Sequence, residues 1–310
     1  MKKYRKPIII ISAFVIAVFM VLPVVFFVRT PVLIVIEQEF SRFYGEERIR
    51  KEAFQASLVL FRPVRTVVAA NDASDDVVAL AVTENSAKPF CVLFPLRFAR
   101  SARIYREQNP QIPVVILEGR FTEDDSPAAF AVGRYPQDYF LYKTDIDRDF
   151  YRAGLAAAAF DNGKNGRIIV FLEQNIHSQA REAFLRGVNE YKRREAPENN
   201  ERPTPTSSFF SSFSQFSETS NISCVVLTGT GIEYLERKTK IPVICFTWLA
   251  PDYIPDNVAL IINDSPWSQV VQAVKMAKSG LPQGFIESKF TFINSENIDS
   301  RSLHKILKTW

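Results

Sequence analysis

From Pro7 to Val28 every side chain except Ser12 is apolar. At ~1.5 Å per helical residue that run covers roughly 33 Å, enough to cross a hydrocarbon core of about 30 Å. Lys2, Lys3, Arg5 and Lys6 precede it with no acid among them. Basic residues on that side hold it in the cytoplasm and send the rest of the chain outward. A cleavable signal peptide is the competing expectation, with Val15-Ile16-Ala17 as a weak cleavage motif. Apolar residues continue well past that motif, Arg29-Thr30-Pro31 is a poor cleavage site, and no Cys lies near the end of the run for lipid attachment. The expectation is therefore an uncleaved anchor over residues 1–30, crossing a bilayer with 7–28. A buried core helix is disfavoured by the length and uniformity of the run.

Beyond Pro31 the pattern changes to short apolar runs separated by helical spacing. PVLIVIEQEF (31–40), RTVVAAN (65–71), CVLFPL (91–96) and IPVVILEG (112–119) predict four strands. The stretches 41–61, 72–87 and 98–111 predict the helices between them, with Asp72 or Ser74 as candidate N-cap of the second. Continuous β-branched runs bounded by turns mark strands buried on both faces, and their alternation with helices implies parallel βαβ units. AFAVGRY (129–135) and YFLYKTD (139–145) predict two short strands near a boundary. The rhythm then restarts. Helices are expected at 148–160, 177–194, 231–239 and 265–280, and strands at 167–174, 224–231, 241–248, 257–264 and 289–296, with a last segment at 300–310. Two successive halves of this kind predict two doubly wound parallel-sheet lobes. The expected division is 31–145 plus 265–282 for lobe I and 146–264 plus 283–310 for lobe II.

One stretch breaks the rhythm. Residues 195–221 carry Pro197, Pro203, Pro205 and then FFSSFSQFS. It reads as a long loop with at most one irregular strand. Phe209, Phe210, Phe213 and Phe216 within 203–217 either cover the adjacent lobe or meet a membrane or partner.

Charge narrows the function. The net charge is +4, with 38 basic and 34 acidic residues. The four basic residues at positions 2–6 account for all of it, so the remainder is balanced and the net charge is no argument for nucleic-acid binding. Cys91, Cys224 and Cys245 sit in or beside apolar runs. They are expected to be buried thiols, with a Cys224–Cys245 bridge the alternative if their strands are neighbours. With only His177 and His304, no metal-ligand spacing, no G-x-S-x-G and no G-x-G-x-x-G after the first strand, the sequence predicts no enzyme, metal or cofactor. Thr228-Gly-Thr-Gly-Ile is a weak anion-nest motif or a simple helix-start turn.

From Pro31 to about Ile298 the chain resembles the type 1 periplasmic solute-binding superfamily, whose fold is shared with sugar-sensing regulators related to the lac repressor. Asp149-Phe-Tyr-Arg-Ala-Gly-Leu-Ala-Ala-Ala looks like the hinge aspartate and the small-residue helix of that family. IPVVILEGR, IPVICFTW and NVALIINDSPWSQVVQAV resemble its strands and return helix. The resemblance implies a ligand held between lobes at the carboxyl ends of both sheets, as the crevice rule for open α/β sheets also expects. The candidates are then Gln38, Glu39, Phe40, Phe43, Asn71, Pro95 and Glu118 in lobe I. In lobe II they are Glu173, Gln174, Thr228, Gly229, Thr247, Trp248, Asn263 and Asp264, with Asp149 near the first crossover. Phe40, Phe43 and Trp248 can stack on a ring or sugar face. Glu118, Asp149, Thr228, Asn263 and Asp264 can hydrogen-bond hydroxyls or amines. Each also has a structural reading: packing for Phe40 and Trp248, helix capping for Asp149 and Asp264, a surface acid for Glu118.

Departures from the family bear on the ligand. Phe184 stands where sugar binders carry Arg, Gly229 where they carry Asn or Asp, Thr247 where they carry Asp, and Phe150 where an Asn often follows the hinge aspartate. An ordinary monosaccharide fits less well than a nucleoside, an aromatic compound or another organic solute. The functional expectation is a bacterial inner-membrane protein with its soluble part in the periplasm, binding a small organic ligand for a transporter or sensor. The alternative is an interaction or structural protein that keeps the fold with a degenerate pocket. A DNA-binding regulator is disfavoured, because the apolar segment occupies the place of its helix-turn-helix.

Overall fold

The computed structural model describes residue 26 and residues 28–70, 72–118, 139–161, 166–172, 178–195, 205–217, 221–246, 254–264 and 266–293; of Phe43 it describes the backbone alone. Most of the apolar run thus lies outside the described residues, as do Asn71, AFAVGRY, Glu173, Gln174, Thr247, Trp248 and 300–310. Among the described residues no helix is long and apolar enough to cross a membrane.

The chain divides into two compact units. One takes the described residues of 1–117, 135–141 and 270–282; the other takes those of 118–134, 142–269 and 283–310. The first sheet has the strand order β11-β5-β4-β3-β1-β2. Its strands are β1 (Val32–Glu37), β2 (Val64–Ala69), β3 (Cys91–Pro95), β4 (Val114–Glu118), β5 (Tyr139–Thr144) and β11 (Gln283–Ile286). β1 pairs in parallel with both β2 and β3, and β3 with β4. The connecting helices are α1 (Gln38–Tyr44) with α2 (Glu46–Leu60), then α3 (Asp75–Asn85), then α4 (Ala99–Gln108). Val32 to Ile36, Val92 to Phe94 and Val114 to Ile116 are all buried. That double-sided burial is why these strands read as unbroken apolar runs.

The first expected strand ends earlier than the sequence suggested. Gln38, Glu39 and Phe40 belong to α1, in a helical turn that starts directly at Glu37. Ser74 is the N-cap of α3 by position, without a capping hydrogen bond from its side chain. Asp75 in the first turn instead accepts from Ser101 Oγ at 2.8 Å and ties α3 to α4.

The second sheet runs β12-β10-β9-β8-β6-β7. It contains β6 (Arg167–Phe171), β7 (Thr206–Phe210), β8 (Ile222–Leu227), β9 (Val243–Phe246), β10 (Val258–Asn263) and β12 (Lys289–Phe292). All neighbours are parallel except β12, which lies antiparallel on β10. Helices α5 (Ile146–Asp161) and α6 (Ser178–Glu195) pack on this sheet, whereas most of α7 (Pro266–Lys278) belongs to the first unit. On β6, β8 and β9 side chains alternate between the two faces. Ile168, Val170, Cys224, Val226, Ile244 and Phe246 join one core with α5 and α6; Ile169, Phe171, Val225, Leu227, Val243 and Cys245 join the core on the opposite face.

That alternation settles the cysteines. Cys224 and Cys245 point to opposite faces of the second sheet, so no bridge between them is geometrically open, and all three cysteines are buried without a disulfide. Burial pushes the Cys91 thiol up to about 12 and the Cys224 thiol up as well. All three should therefore ignore a thiol reagent such as dithionitrobenzoate in the native chain and react on unfolding in urea. Labelling at native rates comparable to the unfolded ones would refute this burial.

Two segments differ from expectation. The Ser/Phe-rich stretch forms a regular edge strand, β7, in register with β6 from Arg167↔Thr206 to Phe171↔Phe210. An edge strand need not be apolar on both faces, which is why TSSFF hid among loop signals. The helix expected at 231–239 is only a 3-10 turn, Ile232–Glu236. Arg237 is already extended, and Ile241 before Pro242 is biased the same way.

Candidate functional site

In each sheet the chain leaves its first strand in both directions, so each has a switch point, the place at the carboxyl ends where open α/β sheets bind ligands. In the first sheet this lies between β1 and β3. Glu37 ends β1, and Arg97 sits in the 3-10 turn Leu96–Phe98 directly after β3. Arg97 Nη1 lies 2.8 Å from Glu37 Oε2, and both side chains remain partly exposed. Neither residue stood out in the sequence. The signal was present only as two charges directly after two apolar runs; their pairing needs the register of β1 on β3. Pro95 is the last residue of β3 beside them.

The other first-half candidates have local partners. Phe40 stacks on Tyr44 one helical turn away, with centroids 5.0 Å apart and planes at 19°. Glu118 ends β4, and Lys143 Nζ on β5 lies 2.6 Å from its Oε2. Its carbonyl accepts a long 3.5 Å bond from Thr144 Oγ1. The ion pair supplies the structural account of this acid.

In the second sheet the switch point lies between β6 and β8. Here the polar groups are already matched. Thr228 is fully buried, and both its hydroxyl, at 2.8 Å, and its backbone N–H, at 3.1 Å, donate to Phe171 O. Gly231 follows at φ 81°, and a Cβ there would come within 2.3 Å of the Phe171 ring. Phe171 ends β6 and Phe210 ends β7. Phe216 meets Phe171, Phe210 and Tyr234 edge-on with centroids 5.7, 5.7 and 6.1 Å away, and Phe213 lies 5.9 Å from Phe171. Arg237 covers Phe213 at 5.1 Å and Phe216 at 5.5 Å. Phe209, on the other face, lies edge-on to Phe184 at 6.0 Å under Arg181. The phenylalanines of 203–217 thus pack onto their own unit. Phe184, at the family's arginine position, is a fully buried core residue.

A polar cluster gathers around Asp149. This residue lies inside α5; the cap of that helix is Asp145, whose Oδ1 accepts from the Arg148 N–H at 3.2 Å. Asp149 is 1% exposed, and Ser288 Oγ donates to its Oδ2 at 2.5 Å. Burial raises its pKa to about 8; the Ser288 bond opposes the rise, Asp264 adds to it, Arg152 opposes it and Asp145 adds to it. Arg152 is itself buried, and Arg148 and Arg152 both pair with Glu287. Asp264 follows β10; Gln269 Nε2 donates to its carbonyl at 3.3 Å and to Thr144 Oγ1 at 2.7 Å. Asn263 ends β10 opposite Lys289. Of the candidates, then, Asp149 and Asp264 come together electrostatically, whereas Phe40, Glu118 and Thr228 each meet other partners. Among the described residues no group of three or more His, Cys, Asp or Glu side chains is placed to hold a metal ion.

No protein-family model matches the chain, and no curated protein matches it. Solved structures do. The chain is similar to a transcriptional activator of the comK gene from Bacillus halodurans, with TM-score 0.59 and 11% identity over 91% of this chain and 95% of that one. It is also similar to an ABC transporter periplasmic solute-binding protein from Actinobacillus succinogenes with bound D-allose, with TM-score 0.53 and 15% identity over 91% and 100%. A sugar-binding protein of an ABC transporter from Bacillus halodurans gives TM-score 0.50 and 13% identity over 87% and 99%. Structures of this kind are solute-binding proteins and regulators rather than enzymes, and the chain has their type 1 periplasmic-binding-protein-like fold.

Proposed function

We propose that the chain is a membrane-tethered envelope protein that binds a small organic solute, a sugar, nucleoside or aromatic compound, for transport or sensing. The observation that carries this reading is the partly exposed Glu37–Arg97 pair at the switch point of the first sheet. A partly exposed charged pair at a switch point is available to exchange its partner for ligand hydroxyls, and only a matched ligand offsets its desolvation. The similarity in fold to a D-allose-binding transport protein supports the solute class. The apolar run 7–28 and the basic residues before it support tethering with the folded part outside the cytoplasm.

A second reading has its own observation. Thr228 is closed onto Phe171, and Asp149 is buried against Ser288, so two polar candidates are already matched inside the protein. This favours a protein that keeps the fold for interaction with a protein partner and has a degenerate pocket.

Thermal unfolding of the full chain in detergent separates the two. Under the first reading a panel of sugars, D-allose included, nucleosides and aromatic acids contains a stabiliser. At about 100 times its Kd such a ligand adds about 2.7 kcal/mol, or roughly 5–10 °C. Arg97→Ala and Trp248→Ala should each abolish the shift. A panel without any response replaces the first reading with the second.

A further inference from the structure

The chain enters its first sheet through a basic, apolar corner. Phe26 lies edge-on to Phe61, with centroids 6.0 Å apart. The Arg29 guanidinium sits 4.7 Å above the Phe61 ring and donates to Phe61 O at 3.4 Å. Arg62 donates to Thr30 O at 3.2 Å and Thr30 Oγ1 at 2.9 Å, and covers the Phe90 ring at 3.9 Å. These contacts fasten the residues that follow the apolar run to the last turn of α2. That turn ends sharply at Phe61, whose backbone is left-handed with φ 51°.

Beside these contacts apolar side chains are exposed. Val28 is 79% exposed, Leu58 57% and Val59 60%. Among the described residues neither Arg29 nor Arg62 forms an ion pair with an acid. Desolvation and the nearby Arg29 both push the Arg62 pKa down, as expected for two unneutralised cations side by side. Cations over aromatic rings next to exposed aliphatic side chains match the composition of a membrane interface.

We propose that this corner docks on the bilayer, with Arg29 and Arg62 binding the phosphates of anionic phospholipid while Val28, Leu58 and Val59 enter the headgroup–acyl boundary. The inference rests on the tethering reading above. The occupant is chosen by connectivity: the apolar run ends at Val28, inside the patch, and one extended residue reaches only about 3.5 Å. The bilayer that holds the run is therefore present at the patch at high effective concentration, ahead of any free partner. Each arginine near an anionic surface adds further attraction.

The test uses the full chain with single labels at Leu58→Cys or, as control, Glu47→Cys, about 16 Å away along the same exposed helix. The native thiols are buried and leave the label site-specific. Each chain carries an environment-sensitive fluorophore and is reconstituted in phosphatidylcholine–phosphatidylglycerol vesicles at a roughly 3:1 ratio. Flotation comes first, then quenching by lipid-borne spin labels. The expected result is flotation, with quenching at Leu58→Cys at least about threefold that at Glu47→Cys, reduced in pure phosphatidylcholine and by Arg29→Glu with Arg62→Glu. Flotation with equal quenching at both positions overturns docking and leaves the tether standing. Failure to float removes the tether and the docking with it. Self-quenching that grows with protein density and ignores lipid composition assigns the patch to a second copy and overturns the proposal.

Discussion

Gly187→Ala is expected to lower the melting temperature of the chain by roughly 6–12 °C. Gly187 on α6 lies against the backbone of α5, where an added Cβ would sit 2.0 Å from Tyr151 O and 2.9 Å from Tyr151 C. The contact is reciprocal: a Cβ on Gly154 of α5 would sit 2.1 Å from Phe184 O on α6. No rotamer relieves a clash between a Cβ and a carbonyl, so the helices must part. Around the contact lie Ala153, Leu155, Ala156, Ala183, Phe184 and Val188, all essentially inaccessible to water. Separation loosens that whole interface. Overpacking of this kind costs about 3 kcal/mol, toward the upper end for such changes. For a unit of this size each kcal/mol moves the melting point by roughly 2–4 °C. The sign is diagnostic, because helix propensity alone makes alanine about 1 kcal/mol better than glycine in a helix interior. Circular dichroism melts of the full chain in detergent decide it. A rise in melting temperature for Gly187→Ala and Gly154→Ala would mean that the close approach is absent.

The small-residue helix behind this contact was legible in the sequence, and so were most strands. β1, β3, β4, β6, β8, β9 and β10 are covered on both faces, so each prints a continuous apolar run. β7 and β11 did not print one. β7 is an edge strand that starts Thr-Ser-Ser, and β11 has four residues, one of them glycine. The site was less legible, because its pairs are distant in sequence. Glu37 and Arg97 are 60 residues apart and meet only through the register of β1 on β3; Asp149 and Ser288 are 139 apart. Strand ends nominate positions, but whether a side chain there faces a crevice or a partner depends on tertiary pairing. Thr228 illustrates the second outcome: it stands at a switch point, yet its hydroxyl closes on Phe171 O. Thr247 and Trp248, which follow β9, lie outside the described residues.

Asp149→Asn is expected to flatten the pH dependence of stability and to make the chain more stable than the wild type at pH 8. The carboxyl is 1% exposed, and burial, aided by Asp264 and Asp145, holds its pKa at about 8 against the opposing Ser288 bond and Arg152 charge. An unfolded Asp ionises near its ordinary value of 3.8. The folded state therefore binds more protons than the unfolded state between these two values. The sign follows directly: the contribution of the neutral buried acid is complete below about pH 4, falls as pH rises, and is lost once pH passes about 8. The slope is at most about 1.4 kcal/mol per pH unit for one proton. Asparagine keeps a neutral group whose oxygen can accept the Ser288 hydroxyl, and it has nothing to titrate. Urea midpoints at pH 5, 6.5 and 8 should then give a mutant-minus-wild-type difference that grows steadily with pH. A constant difference across that range would mean that Asp149 is ionised in the fold at pH 5. In that case Ser288 and Arg152 would outweigh burial, and the cluster would carry a charge available to a ligand.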